Sequence, residues 1–375
     1  MTCPATTMTP SADMRRASLW KPLSQQRVHC RLCSHYCIVP EGRSGRCGVR
    51  HNKGGTLYTL VHDRVAALHV DPVEKKPLFH YLPGTATLSL GTVGCNFTCG
   101  FCQNWSLSTA AHDDGVSSPT TVTYVPPRSI PGHQVTPQVL VEEAVSCGAA
   151  SIAFTYSEPT VFYELMAGTA DLALASGLGT IMVSNGYQSR RCLEALRPRI
   201  KAANIDLKAF SDRFYRDVCG ARLAPVLDNL KRMVGFGWWV EVTTLVIPGL
   251  NDSDDELAAI ARFIHGELGA HVPWHISRFH PAHELGHLPP TPLETLERAW
   301  KIGRASGLHF VYLGNLPGHT SESTFCPGCG TLFAERFGYR TQLPNGPECP
   351  RCGAHIPGVG WGHTTRKGHA PHLYR

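Results

Sequence analysis

No apolar run in the 375-residue chain reaches the roughly 18 residues needed to cross a bilayer as a helix. The opening MTCPATTMTPSADMRRASLW also lacks the apolar core of a secretory signal, so the expected compartment is the cytoplasm, with no membrane partner. Charge is sparse: 17% of residues are Asp, Glu, Lys or Arg, and 35 basic against 29 acidic side chains leave a formal +6. That balance is well short of the charge density of a protein built to coat nucleic acid. What remains is a folded chain with 42% apolar residues. At about 150 residues per domain it accommodates two or three units.

Cysteine is what the chain has in quantity, with 15 residues. In a reducing compartment, clustered cysteines bind metal more often than they form disulfides, so their spacing is informative. Eleven of them form three groups, and Cys3, Cys147, Cys192 and Cys219 stand alone. Cys326 and Cys329 in CPGCG, then Cys349 and Cys352 in CPRCG, have the two-knuckle spacing of a structural zinc ribbon. Cys30, Cys33, Cys37 and Cys47 lie in HCRLCSHYCIVPEGRSGRCGVR. Four thiolates suit either zinc or an iron-sulfur cluster, a structural or electron-relaying metal, and spacing alone does not choose between them; a redox-active or merely reduced loop is the alternative. The middle group, Cys95, Cys99 and Cys102, has three members. Three thiolates on a four-iron cubane leave one iron open to a small molecule, which implies chemistry; the alternative is zinc completed by a distant histidine.

From about residue 86, short apolar runs alternate with helical patterns, the mark of β/α repetition around a parallel sheet. Strands are expected over 87–93, 151–156, 180–184, 202–207, 240–247, 274–279 and 309–313, and helices over 137–146, 159–175, 191–197, 226–234, 253–265 and 292–305. Ser253 with Glu256 reads as a capping box. In such a fold the reacting groups sit at the carboxyl ends of the strands. Glu158, Ser184, Asn185, Asp206, Lys208, Thr243, Ser277, Arg278 and Asn315 fall at those ends. Asp206 and Lys208 share one strand face, either as polar contacts for a substrate or cofactor or as a structural ion pair. His280, His283 and His287 suggest a second metal less readily than solvated loop side chains. Trp238, Trp239 and Trp274 read as core or rim residues. The Ser/Thr/Pro-rich stretch 106–132 is either a lid or a linker.

The CxxxCxxC motif, with Phe101 before its last cysteine in GTVGCNFTCGFCQNW, resembles the radical S-adenosylmethionine (SAM) superfamily. The likeness is to the branch that includes glycyl-radical-enzyme activases of the pyruvate formate-lyase type and, more narrowly, to the AmmeMemoRadiSam system radical SAM enzymes. It extends through CRLCSHYCIVPEGRSGRCGVR, VAALHVDPVEKKPLFHYLPG, FTYSEPTVFYE, NIDLKAF, VTTLVIPGLND and WHISRFHPA, over residues 28 to 330. The resemblance implies a partial (β/α)6 barrel and a [4Fe-4S] cluster on Cys95, Cys99 and Cys102. It also implies SAM as cofactor and reduced flavodoxin or ferredoxin as electron donor. Tyr156, Ser157, Glu158 and Pro159 look like a variant of the family segment that contacts the methionine amino group, with Tyr156 and Ser157 where glycines are usual. Ser184 and Asn185 are similar to its ribose-contacting pair, and Val246, Ile247 and Gly249 to its adenine wall. The expected architecture is therefore α/β. A disordered lead-in (1–27) and a small Cys-rich N-terminal cap (28–84) precede the radical SAM barrel (85–320), which is followed by a C-terminal zinc-ribbon-like module (321–358) and a basic tail (359–375). The expected function is SAM cleavage to a 5′-deoxyadenosyl radical that abstracts hydrogen from a small-molecule or protein substrate. An activase acting on a protein glycine is a narrower version, and a non-catalytic, metal-stabilised nucleic-acid-binding protein is the alternative of another class.

Overall fold

The computed structural model describes residues 14–112, 123–124, 129–316 and 319–362. Most of the stretch read as a lid or linker, and the basic tail from residue 363, lie outside the described residues.

The centre is one eight-stranded sheet: β1 (Ala67–Pro72), β2 (Ala86–Gly91), β3 (Ser151–Phe154), β4 (Gly179–Ser184), β5 (Ala202–Asp206), β6 (Trp239–Val246), β7 (Trp274–Arg278) and β8 (Val311–Gly314). The strands lie side by side in sequence order. From β2 onward every neighbouring pair is parallel, whereas β1 runs antiparallel to β2. β1 and β8 are the edges and do not pair with each other, so the barrel is open. β3 and most of β2 and β5 are buried on both faces, which is why they read as unbroken apolar runs.

The crossovers are helical: α1 (Pro137–Ser146), α2 (Tyr163–Ala175), α3 (Arg190–Leu196), α4 (Asp212–Cys219), α5 (Leu223–Gly235), α6 (Asp254–Phe263) and α7 (Leu293–Ala305). Side chains of Thr136, Ser189, Ser211 and Ser253 cap α1, α3, α4 and α6 by accepting from backbone amides of the first turn. The capping box at Ser253 is only half made, because Glu256 accepts instead from the amide of Phe210. Helix α4 has no counterpart among the expected helices.

The N-terminal boundaries differ from those expected. Strands are already paired upstream of residue 28: Arg15–Arg16 pairs within Thr56–Thr59, and Trp20–Pro22 pairs with Val28–Cys30, while residues 1–13 of the expected lead-in lie outside the described residues. Arg50 anchors this region from within, donating to Ser18 O at 2.5 Å and to both oxygens of Glu164 on α2 at 3.2 Å. The cap also ends earlier than residue 84, since β1 is already an edge of the barrel sheet.

At the other terminus, Cys326, Cys349, Phe333 and Ile356 share one apolar cluster with Phe79, Phe310 and Tyr312. Val359 pairs with Tyr81, and Trp361 packs on the same cluster, so the module extends past 358. It is fused to the end of the barrel where β6 and β7 begin. There Glu241 accepts from the amides of Phe79 (3.0 Å) and His80 (2.8 Å) and pairs with His275 at 2.6 Å.

Candidate active site

At the carboxyl ends of the strands a cavity of about 270 Å³ opens. Its lining includes Cys95, Cys99, Cys102, Phe101, Ser157, Glu158, Ser184, Asn185, Asp206, Lys208, Thr243, Ser277 and Asn315. All three cysteines of the middle group and most residues expected at strand ends therefore meet in one place.

The loop after β2 delivers the cysteines. Gly94 turns it with φ of 95°, and a Cβ there would lie 2.8 Å from the carbonyl of Cys47, so the loop rests against the N-terminal cysteine segment. The far side of the loop is clamped by the end of α4: Thr98 N donates to Cys219 O (3.0 Å) and Gly100 N to Val218 O (3.1 Å). Burial, followed by the Glu158 carboxylate and Cys99, pushes the Cys95 thiol well above its ordinary range. Burial and then Cys99 also raise Cys102. Cys99 moves the other way, chiefly because Cys219 hydrogen-bonds to it. Cys219, isolated in the sequence, is thus a direct neighbour of the site, and no spacing rule would have found it.

Lys208 lies beside this loop, 2.8 Å from Asp206 and 5.4 Å from the centre of the Phe101 ring. Burial disfavours its charge, but Asp206 first and then the sulfurs of Cys99 and Cys219 outweigh that, so it is held as a cation. The ion-pair reading and the cavity-lining reading of Asp206 and Lys208 both hold.

Glu158 organises the opposite wall. One oxygen accepts from Thr160 N (3.0 Å), the Thr160 hydroxyl and Ser184 Oγ (2.8 Å), and the other accepts from Asn185 N (2.9 Å). Asn185 in turn donates from Nδ2 to Asn96 Oδ1 at 2.7 Å and accepts from Tyr187 N at 3.1 Å. Ser184 and Asn185 therefore tie the cluster loop to β4, with side chains already engaged, whereas the resemblance assigns them to a ribose. Tyr156 adopts the positive φ (68°) that a glycine would take there, held by its hydroxyl donating to Asp71 at 2.7 Å. Ser157 Oγ is inaccessible and lacks a hydrogen-bond partner, an orphaned polar atom on the cavity wall.

Val246 is not among the lining residues. It lies fully buried in the core, and Leu245 occupies the cavity wall with Thr243, because alternate strand residues face opposite sides. Arg278 also turns away, donating to Thr291 O at 2.8 Å. The loop histidines disperse: His283 stacks on Trp105 with ring centres 5.5 Å apart, and His287 contacts Glu284 O at 3.2 Å. Trp238 and Trp274 are buried, and Trp239 donates to Glu241 at 2.9 Å. Leu245, Val183, Thr155, Gln103 and Asn104 line the cavity without having been singled out in the sequence.

The donor set of the loop suits a polynuclear centre. Among the described residues, only Cys326, Cys329, Cys349 and Cys352 bring three or more His, Cys, Asp or Glu ligand atoms within 4.8 Å of one another. The sulfurs of Cys95, Cys99 and Cys102 do not all lie within 4.8 Å of one another.

Residues 89–264 match the family model of the radical SAM superfamily, and the chain is a radical SAM enzyme. Over 347 residues it is 42% identical to an uncharacterized protein of Methanocaldococcus jannaschii, covering 92% of this chain and 99% of that one. It is 26% identical over 152 residues to the benzylsuccinate synthase activating enzyme of Thauera aromatica, covering 39% of this chain and 45% of that one. A domain of pyruvate-formate lyase-activating enzyme from Bacteroides vulgatus aligns with a TM-score of 0.39 and 16% identity, over 44% of this chain and 100% of that one. No helix among the described residues is long and apolar enough to cross a membrane.

Proposed function

We propose that Cys95, Cys99 and Cys102 hold a [4Fe-4S] cluster whose open iron binds SAM in the cavity at the strand ends, with hydrogen abstraction from an organic substrate as the outcome. The observation that carries this reading is the opening of the three thiols into the same cavity as the orphaned Ser157 hydroxyl and the Lys208 cation. When bound, the cluster supplies one electron that splits SAM into methionine and a 5′-deoxyadenosyl radical, which takes a hydrogen atom from the substrate. Glu158, Ser184 and Asn185 hold the wall and loop in register. Ser157 lines the wall for the amino-acid end of SAM, and Leu245 is an apolar surface for its base. A reduced flavodoxin or ferredoxin fits as the electron source.

The benzylsuccinate synthase activating enzyme relative favours an activase, which the sequence resemblance links to a protein glycine; the AmmeMemoRadiSam likeness leaves the substrate open. At the opposite end of the barrel, zinc fits Cys326, Cys329, Cys349 and Cys352, where sulfurs 3.6 and 3.7 Å apart match the edge of a tetrahedral site. Anaerobic protein supplied with iron, sulfide, SAM and a one-electron reductant is expected to release 5′-deoxyadenosine and methionine. Cys99→Ala should lower that release by about 100-fold or more, as for loss of a required cofactor ligand. Zinc alone in the Cys95 group, with no deoxyadenosine formed, would overturn the reading. Deuterium transfer from a labelled protein glycine into deoxyadenosine separates the activase from a small-molecule enzyme.

A further inference from the structure

The N-terminal cysteines are gathered by the fold around a single point. Cys30 N donates to Cys37 O at 2.9 Å, joining the first and third cysteines. A Cβ on Gly45 would lie 3.7 Å from Cys37 Sγ, so the turn leading to Cys47 passes directly over that sulfur. Cys33 is fixed by a bridge to Gln188, on the segment between β4 and α3. Cys30, Cys37 and Cys47 are buried, Cys33 is half-buried, and all four are free thiols.

We infer that Cys30, Cys33, Cys37 and Cys47 bind a second [4Fe-4S] cluster, not zinc, and that this cluster passes electrons to the one on Cys95, Cys99 and Cys102. Size distinguishes the two metals. Zinc draws four sulfurs at about 2.3 Å onto one ion, leaving them about 3.8 Å apart. The C-terminal group has that spacing, at 3.6 and 3.7 Å. A four-iron cubane instead spreads its four thiolates to about 6 Å, one on each corner iron. No three sulfurs of the N-terminal group fall within 4.8 Å of one another, and the Cys95 group shows the same wide spacing. One chain thus contains a compact cysteine set and two expanded ones. Arg50, paired with Glu164, also lies within electrostatic reach of Cys30 and Cys47.

The two expanded sets adjoin. The Cys47 carbonyl abuts Gly94, the residue before Cys95. His35, between Cys33 and Cys37, donates from Nε2 to Asn96 O at 2.7 Å, the residue after Cys95. Two covalent segments thus lead from the ligands of one cluster to those of the other through a single contact each. Cys33 is the one of the four that is only half-buried, which makes its side the entry point for an external low-potential one-electron donor. One electron enters there and moves on, reducing the second cluster as the first is reoxidised, with no proton or bond change. The cluster assignment stands without SAM cleavage; the relay rests on the reading in the preceding subsection.

The test uses full-length protein prepared anaerobically with iron and sulfide supplied. Wild type is expected to hold about eight irons and eight sulfides per chain. The triple variant Cys95→Ala, Cys99→Ala, Cys102→Ala should retain half of each and, once reduced, a paramagnetic signal indifferent to SAM. The variant Cys33→Ala, Cys37→Ala should retain the other half, with a signal that SAM alters. If that second variant does not fold, the triple variant decides alone, because its N-terminal group is intact. A triple variant with zinc and no iron would overturn the proposal. Wild type with half the expected iron, all of it SAM-responsive, would sink this inference and leave the radical SAM reading intact, whereas wild type without iron would remove both.

Discussion

Glu158 concentrates the most structure in one side chain. Its carboxylate receives four hydrogen bonds, two from Thr160 and one each from Ser184 and Asn185, and so joins the ends of β3 and β4. Burial raises its pKa, and the donors act in the opposite direction. Glu158→Gln keeps the volume but turns one acceptor into an NH2 group facing donors, so a buried hydrogen bond is lost and a polar atom stranded. That change costs about 1–3 kcal/mol. The expected outcome is a melting temperature lower by a few degrees together with weaker SAM binding by calorimetry, because Asn185 and through it Asn96 lose their reference point. An unchanged melting temperature would show that the carboxylate is not the tie. This role was only half legible in the sequence: the position at a strand end was visible, but not that Ser184 and Asn185, named as ligand contacts, are partners of Glu158. Hydrogen-bond partners 26 and 27 residues away leave no local pattern. Val246 failed for a different reason. An apolar run buried on both faces gives no sign of which alternate residues face the cavity, so Leu245 and Val246 were indistinguishable until the register was known.

Among the elements, α4 shows where local patterns fall short. It has eight residues, four of them charged, with one buried aromatic pair, Phe214 and Tyr215. Too short for a periodic signal, it was nonetheless flanked by its markers, the Ser211 cap and Gly220 in the left-handed region. Longer helices such as α1 and the barrel strands were legible because burial of a face or of a whole strand imprints the hydrophobic pattern directly. The paired segments of the N-terminal region, two to four residues each, are set by cross-strand contacts that no such pattern encodes. The consequence of α4 is specific. Gly220 has φ of 66°, and a Cβ there would collide with Thr98 Oγ1 and lie 2.5 Å from Arg46 Nη2. Gly220→Ala thus combines a conformational cost of about 1 kcal/mol with displacement of the loop between Cys95 and Cys99. Reconstituted variant is expected to show reduced thiolate-to-iron absorption near the Cys95 group while zinc content is unchanged. Iron content and SAM response equal to wild type would rule out α4 as the clamp.

At the scale of the whole molecule, the cysteine groups lie at the two ends of the barrel. The two expanded sets lie together at the carboxyl ends of the strands, and the compact set lies at the amino ends, where a shared core joins the C-terminal module to Phe79, Phe310 and Tyr312. In β/α barrels the carboxyl end carries chemistry and the amino end stability. His80 sits at the centre of that amino-terminal junction. Nδ1 faces only the carbonyl of Pro357 (2.7 Å) and so donates to it, while Nε2 accepts from the Tyr312 hydroxyl (2.6 Å), which leaves the ring neutral. Burial lowers its pKa to about 4; the Glu241 carboxylate and the Pro357 carbonyl work upward, Arg336 and His275 downward. An unfolded chain binds the proton near pH 6.5, the folded one only near 4. The unfolded state therefore takes up more protons between those values, and His80's contribution is complete above pH 6.5 and lost as pH falls toward 4. Melting temperature is expected to fall steadily from pH 7 to 5, before most carboxylates titrate. His80→Gln should melt lower at pH 7 but with a flatter dependence across that interval. If the variant keeps the wild-type slope, the acid sensitivity originates elsewhere and the junction is not its source.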